Sequence, residues 1–123
     1  MSAPTLLLPE RSSAIASDLR AAIGADKVKD DYSTLTAYAV DASIYRMVPK
    51  AVVLVESEDD IAVTVRYAVQ RGIPLTPRAA GTNLTGSAIG SGIILDVSRL
   101  NRVLELNKEA RWARVQPGIV LAE

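Results

Sequence analysis

Arg78-Ala-Ala-Gly-Thr-Asn-Leu-Thr-Gly-Ser-Ala-Ile-Gly-Ser-Gly92 sets Gly81, Gly86, Gly90 and Gly92 among small and hydroxyl side chains, with no charge after its first residue. It lies between two strand-like runs, Ile73-Pro-Leu-Thr-Pro-Arg78 and Gly92-Ile-Ile-Leu-Asp-Val97. Small side chains let a backbone approach an anion closely, and consecutive N–H groups then form a nest that neutralises phosphate without a lysine. Thr82, Thr85 and Ser87 add hydroxyl donors, and Arg78 supplies a nearby positive charge. The stretch lacks the Gly-Lys-Ser/Thr ending of an NTP-type P-loop and the Gly-x-Gly-x-x-Gly of the usual dinucleotide fold. A patternless segment of this length in a compact domain is usually functional. The alternative is a plain turn between strands, which such compositions often make.

Upstream, Ala51-Val-Val-Leu-Val55 is a continuous apolar run, the pattern of a strand covered on both faces. Ser57-Glu-Asp-Asp60 has the form of a capping box with Asp at N3, its three acids placed where the helix dipole favours them. Glu58, Asp59 and Asp60 therefore read as a helix start rather than a metal site. Ile61, Val65, Ala68 and Val69 make one apolar stripe, and Gly72 closes the helix. Pro confines the 73–78 run to an edge or a strand end. Strand, helix, strand with short connections predicts a right-handed βαβ unit. Further upstream, Ser12 or Ser13 can cap a helix carrying Ile15, Leu19, Ala22 and Ile23, with Gly24 in the left-handed closing position. Residues 1–9, with Pro4 and Pro9, read as an extended arm, 26–31 as a charged connection, and 32–38 as a short helix.

Downstream, residues 92–97, 103–107 and 112–116 are three short strand candidates whose connections are too short for crossover helices. Antiparallel pairing among them is expected, with 107–111 as a hairpin loop. Pro117-Gly118 turns into Ile119-Val-Leu-Ala-Glu123, the start of an apolar helix that stops without a cap, as in a chain cut short. The expected fold is α+β: a small parallel βαβ lobe followed by the start of an antiparallel lobe.

The chain has 123 residues, 49% hydrophobic and 23% charged, with 14 basic and 14 acidic side chains. Zero net charge leaves no electrostatic footprint for nucleic acid or an anionic membrane. No apolar run approaches the roughly 20 residues that cross a bilayer, so a cytoplasmic location is expected. There is no Cys and no His, which removes thiolate and imidazole metal sites, disulfides and Ser-His triads from these residues.

Three runs in the same order carry a family resemblance. Pro77-Arg-Ala-Ala-Gly-Thr-Asn-Leu-Thr-Gly86, Gly92-Ile-Ile-Leu-Asp-Val-Ser-Arg-Leu-Asn101 and Val115-Gln-Pro-Gly118 resemble the FAD-binding domain of the vanillyl-alcohol-oxidase superfamily. Asp41-Ala-Ser-Ile-Tyr-Arg46 and its spacing to Pro49 resemble the FAD-linked oxidases of 2-hydroxy acids: the glycolate oxidase flavin subunit, D-lactate dehydrogenase and D-2-hydroxyglutarate dehydrogenase. The resemblance implies an arm and helix over residues 1–30 and an FAD-binding domain over 31–123, with the substrate domain absent. It further implies that Arg78, Ala79, Ala80, Gly81, Thr82 and Asn83 hold the FAD pyrophosphate. Gly86 and Ser87 would then lie nearer the flavin ring, and Pro49 and Gly118 would line the cleft. Alanine at 79 and 80, where the family often has Gly, would sit poorly in a left-handed backbone. Lacking His and Cys, this segment would hold FAD non-covalently.

The implied reaction is oxidation of a 2-hydroxy acid by hydride transfer to FAD, with no catalytic residue in this chain and no activity from the chain alone. Partners implied are FAD and a 2-hydroxy acid held by downstream residues; separately, the unpaired strand edges at 93–97 and 112–116 predict either a soluble apo lobe or self-association with a second copy. Tyr45 and Arg46 are weighed as carboxylate contacts and read instead as a seal against the sheet. Asp96 reads as an acceptor for local donors such as Ser98 and Arg99, and Trp112 as hairpin packing. Arg99, Arg102, Lys108, Arg111 and Arg114 read as a solvated face. The rival reading is a non-catalytic phosphate-binding or assembly module.

Overall fold

The computed structural model describes residues 10–121, with side chains from Ala14 to Leu121. The expected arm before residue 10 and the last two residues lie outside the described residues. The expected cap at Ser12 or Ser13 is not found, because the first helix already begins at Glu10 and takes both serines into its first turn. Helix α1 spans Glu10–Ile23. It buries Ala16 and Leu19 completely and packs Ile15 and Ile23 against the same core. Ala22, expected in that stripe, is exposed, and Ala16 is buried instead, three residues before Leu19 on the core face. Gly24 closes α1 with a positive φ of 115, but its ψ of 143 lies outside the left-handed helical region, and the chain turns at once into a 3-10 turn at Ala25–Lys27.

A two-residue strand β1, Val28–Lys29, then pairs antiparallel with β2, Ala51–Leu54. Between them lies helix α2, Tyr32–Ala37, capped by Asp31, whose carboxylate accepts from the Thr34 N–H at 3.0 Å. Helix α3, Glu58–Arg71, follows β2. The Ser57 hydroxyl accepts from the Asp60 N–H, and Gly72, at φ 62 and ψ 34, takes the left-handed closing position. The face of α3 that meets the sheet is Asp60, Thr64 and Ala68, flanked by partly buried Ile61 and Tyr67. Val65 and Val69 are exposed, so the helix is rotated from the stripe expected of its branched residues. Thr64 can occupy that face because its hydroxyl donates to the Asp60 carbonyl at 2.8 Å, leaving no polar atom unpaired.

β3 is Leu75–Arg78 and β4 is Ile93–Asp96. The sheet order is β1-β2-β4-β3, and β4 runs parallel to both neighbours. Two expectations are corrected here. β2 and β3 are parallel but not adjacent, since β4 is inserted between them. β4 itself belongs to the parallel sheet, not to an antiparallel lobe, and, being paired on both sides, it offers no edge for a second copy. The glycine-rich loop at 79–92 is the crossover: parallel strands need a connection of about a dozen residues, and this one needs no helix to span it. With both faces covered, β4 is buried at every position and β2 at nearly every one. Proline at 77 is tolerated because β3 is the sheet edge, as expected.

The antiparallel part is the hairpin of β5, Val103–Asn107, and β6, Trp112–Val115. Its loop is held by the Asn107 side chain, which accepts from the Ala110 N–H at 2.8 Å. Val103, Leu104, Leu106, Trp112 and Val115 are all exposed on it. Trp112 thus sits on the hairpin without being packed away. Residues 117–121 form a turn and an irregular segment, with no helix among the described residues after β6.

Among the described residues, two ion pairs tie the amino-terminal part to α3, an exposed one between Asp18 and Arg71 and a buried one at Asp60. The buried Asp60 carboxylate lies 3.0 Å from Lys27 Nζ and accepts from the Glu56 N–H at 3.0 Å. Burial pushes its pKa up, but these donors outweigh burial and hold it below the usual carboxylate range. A depressed pKa contributes stability that is present above the unfolded value, about 4, and is lost as pH falls through the folded one. Asp60→Asn is therefore expected to lower the thermal midpoint at neutral pH and to flatten its fall below about pH 4. Identical acid profiles of variant and parent would take Asp60 out of the acid transition.

Candidate functional site

The carboxyl ends of β2, β4 and β3 lie side by side, with Leu54 and Arg78 each in register with Asp96. Open parallel sheets place ligands outside this end. The glycine-rich loop leaves from it at Arg78 and returns to the amino end, where Lys50 N–H donates to the Gly92 carbonyl at 2.8 Å. Its glycines serve two purposes. Gly81 and Gly86 have φ of 70 and 77, a left-handed backbone that L side chains rarely adopt. Gly90 and Gly92 instead let the loop press on β3, where an added Cβ would meet Thr76 Oγ1 at 2.3 Å and the Pro74 carbonyl oxygen at 2.1 Å. Ala79 and Ala80 have no positive φ, so alanine there carries none of the strain expected of it.

Among the described residues, the backbone N–H groups of 79–87 donate to no protein acceptor. Consecutive free donors, two left-handed glycines and no acidic side chain in the loop are what an anion such as a pyrophosphate requires. Thr82, Thr85 and Ser87 stand exposed beside them, and Asn83 is half-buried. The residues present fit the group that the resemblance implied.

The loop is braced by residues 38–46, a segment closed on itself by the Val40–Arg46 bridge. Ala42 N–H donates to the Gly81 carbonyl at 2.9 Å. Asp41 accepts from Asn83 Nδ2 at 2.7 Å, from the Ala88 N–H at 3.4 Å, and from the Ser43 N–H and hydroxyl. The Ser43 hydroxyl leads, and with Asn83 and the two N–H groups it outweighs burial, bringing the Asp41 pKa down to about 2. The Tyr45 ring lies on the loop, where a Cβ on Gly86 would meet its Cδ2 at 2.9 Å. Tyr45 thus packs on the loop rather than sealing against the sheet, and Arg46 is exposed.

Arg78 is committed to the same brace. Its Nη1 donates to the Val40 carbonyl at 2.8 Å and the Tyr38 carbonyl at 3.4 Å, and its guanidinium stacks 4.9 Å from the Tyr38 ring centroid. The Tyr38 hydroxyl donates to the buried Asp96 carboxylate. Burial, then Asp96, pushes the Tyr38 phenol up to about 12. Asp96 also accepts from the Ser98 N–H at 2.8 Å and hydroxyl at 2.6 Å, the acceptor role expected of it, while Arg99 pairs instead with Glu56 at 2.7 Å.

The two remaining residues of interest sit at opposite ends of the sheet. Pro49 is buried just before β2, at the amino end. Gly118 is at the carboxyl end, its N–H donating to the Leu100 carbonyl at 2.7 Å. Sequence reasoning passed over Tyr38 and Asp41 as individuals. Asp41 carried one signal, since an Asp two residues before a Ser often forms the side-chain turn that Asp41 makes with Ser43.

A parallel sheet whose helix-free crossover leaves a run of free N–H groups defines a nucleotide- or phosphate-binding α+β domain. The family model for the FAD binding domain matches residues 49–123, and the chain belongs to that family. D-2-hydroxyglutarate dehydrogenase of Pseudomonas putida is 43% identical over 101 residues, which cover 76% of this chain and 10% of that protein. The glycolate oxidase subunit GlcD of Bacillus subtilis is 30% identical over 100 residues, 79% of this chain and 21% of that protein. Among solved structures, 4-ethylphenol oxidase from Gulosibacter chungangensis matches with a TM-score of 0.75 and 32% identity, over 89% of this chain and 23% of that one. The chain thus spans about a tenth of the dehydrogenase and about a fifth of the oxidase subunit. The fold is the FAD-binding domain of the vanillyl-alcohol-oxidase type, and the cofactor of the family is FAD.

Proposed function

We propose that this chain is the pyrophosphate-binding part of a flavin-dependent oxidoreductase that acts on a 2-hydroxy acid. In this reading Ala79, Ala80, Gly81, Thr82 and Asn83 hold the two phosphates, chiefly through backbone N–H groups. Gly86 and Ser87 lie toward the flavin ring, and Pro49 and Gly118 stand at the two ends of the cleft. The FAD-binding domain is taken as residues 31–123, with α1 and β1 packed into the same core and sheet. FAD is held non-covalently, since the segment has neither His nor Cys. The observation that carries the reading is the run of free N–H groups at 79–87, beside the carboxyl end of a parallel sheet.

When bound, the flavin supplies a hydride acceptor for the substrate C–H. What this chain does is bind and orient. Substrate contacts and the base belong to residues outside it, and D-lactate, glycolate and D-2-hydroxyglutarate are the substrate candidates, by likeness to the relatives. A cytoplasmic location agrees with there being no helix, among the described residues, long and apolar enough to cross a membrane. Self-association, where it occurs, uses the exposed hairpin β5–β6.

The gene product at its full length is expected to be yellow and to be bleached by one of the three hydroxy acids without oxygen. A colourless protein that ignores added FAD would overturn the reading. The 123-residue chain alone is expected to bind FAD with a Kd above about 1 μM and to turn over none of the three. Tighter binding in a fluorescence titration would show a self-sufficient site.

Arg78→Ala tests how the phosphates are held. Because its guanidinium is engaged by the Val40 and Tyr38 carbonyls, its loss is expected to weaken FAD less than tenfold and to leave the salt dependence of binding nearly unchanged. A loss well beyond tenfold, with a flattened salt dependence of the binding that remains, would mean recognition by point charge.

A further inference from the structure

One carboxylate gathers both ends of a turn in the glycine-rich loop. Asp41 Oδ2 accepts from the Asn83 side chain at 2.7 Å and from the Ala88 N–H at 3.4 Å, while Oδ1 is taken by Ser43. The next residue, Ala42, fixes the Gly81 carbonyl at 2.9 Å. Between Asn83 and Ala88 lie Leu84, Thr85, Gly86 and Ser87, whose N–H groups have no acceptor among the described residues. A carboxylate beside an anion site repels the ligand unless local donors take up its charge. Here four donors do so, two from Ser43 and two from the loop. The side-chain amide of Asn83 is thereby committed to Asp41, which leaves Asn83 its backbone N–H for a ligand.

We propose that Asp41 is the positioning residue of the cofactor loop: it gathers Asn83 and Ala88 so that the N–H groups between them converge before the pyrophosphate arrives. This rests on the FAD reading of the loop. Asp41 need not touch the cofactor, because its effect is to remove the ordering cost that a slack loop would meet on binding. The bracing segment 38–46 is then part of the site rather than a connection between α2 and β2.

The test compares Asp41→Ala, Asp41→Asn and Asn83→Ala, by amide hydrogen exchange in the 123-residue chain without FAD and by FAD titration of the full-length gene product. Asp41→Ala is expected to speed exchange at Ala88 and to move the resonances of 83–88, with the rest of the sheet unchanged. It is expected to weaken FAD at least tenfold. Asp41→Asn, which keeps one acceptor but turns an N–H toward a donor, is expected to fall between Asp41→Ala and the parent. The double variant Asp41→Ala/Asn83→Ala is expected to bind no worse than Asp41→Ala, because both cut one link. Unchanged loop exchange, unchanged affinity, or additive losses would overturn the proposal. Should Asp41→Ala fail to fold, Asp41→Asn and Asn83→Ala decide by the same measures. A full-length parent that takes no FAD would remove the cofactor reading, while the exchange at 83–88 still decides whether Asp41 shapes the loop.

Discussion

Gly81→Val is expected to weaken FAD binding about 100-fold, while Thr85→Ala changes it less than threefold. At Gly81 two costs coincide. Its φ of 70 is in the left-handed region, and its Cβ would stand 2.5 Å from Arg78 Nη2 and 2.8 Å from Cζ. A β-branched residue held there costs about 1–3 kcal/mol, and each 1.4 kcal/mol is tenfold in affinity. The chain escapes by turning the peptide, which moves the Gly81 carbonyl off Ala42 and re-aims the neighbouring N–H groups. Thr85 is exposed, and its loss removes one hydroxyl from a site built on backbone donors. FAD titration of both variants separates backbone recognition from side-chain recognition. The double variant Gly81→Val/Arg78→Ala adds a control. It relieves the contact with the guanidinium but not the backbone strain, so it is expected to recover only part of the loss. Equal, parent-like affinities for Gly81→Val and Thr85→Ala would take Gly81 out of the site.

What was legible in the sequence follows the length and purity of each pattern. The 51–55 run, the cap at Ser57 and the stop at Gly72 each carry a local physical cause, and each stands where it was expected. The glycine-rich loop was legible for the same reason, since its lack of charge and bulk is unusual over so long a stretch. Strand β1 was not, because two residues in a charged run make no period, and Val28 is buried only because β2 needs an edge partner. The direction of β4 is not legible, because its short downstream connections point to antiparallel pairing while the long upstream loop sets it parallel. Crossovers between parallel strands are usually helices, and a glycine-rich loop reads as a ligand site or a turn, not as the crossover itself. The rotation of α3 was hidden by hydrophobicity: Thr64 reads as polar, yet its intrahelical bond makes it a core residue. For the site, Arg78 and Gly81 stood out by composition. Asp41 and Tyr38 did not, because their roles are contacts over some forty to sixty residues of chain.

Gly92→Ala is expected to be the most damaging single-methyl change in the described chain, costing about 3 kcal/mol, the upper end of ordinary overpacking. Gly92 is where three strands begin. Its carbonyl accepts from Lys50 before β2, and the next N–H, of Ile93, donates to the Pro74 carbonyl before β3 at 2.9 Å. The added Cβ would stand 2.1 Å from that same carbonyl oxygen and 3.0 Å from Ile73 Cγ2. A side chain in the way can change rotamer, but a backbone carbonyl already bonded into the sheet cannot. Relief must come from separating β3 from β4, which opens the core at Ile93 and Leu75. Gly72→Ala is the matched control, with the opposite cause. There nothing lies within 4 Å of the added Cβ, but φ is 62, so the cost is backbone strain alone, about 1–2 kcal/mol. Urea unfolding of both variants without FAD distinguishes them. A domain with total stability in the usual range of about 5–15 kcal/mol keeps its fold with Gly72→Ala, and Gly92→Ala brings one at the lower end close to unfolding. A smaller loss for Gly92→Ala than for Gly72→Ala would mean that β3 can move away from β4 at little cost. The loop would then not be fixed at the amino end of the sheet as its contacts with Pro74 and Lys50 require.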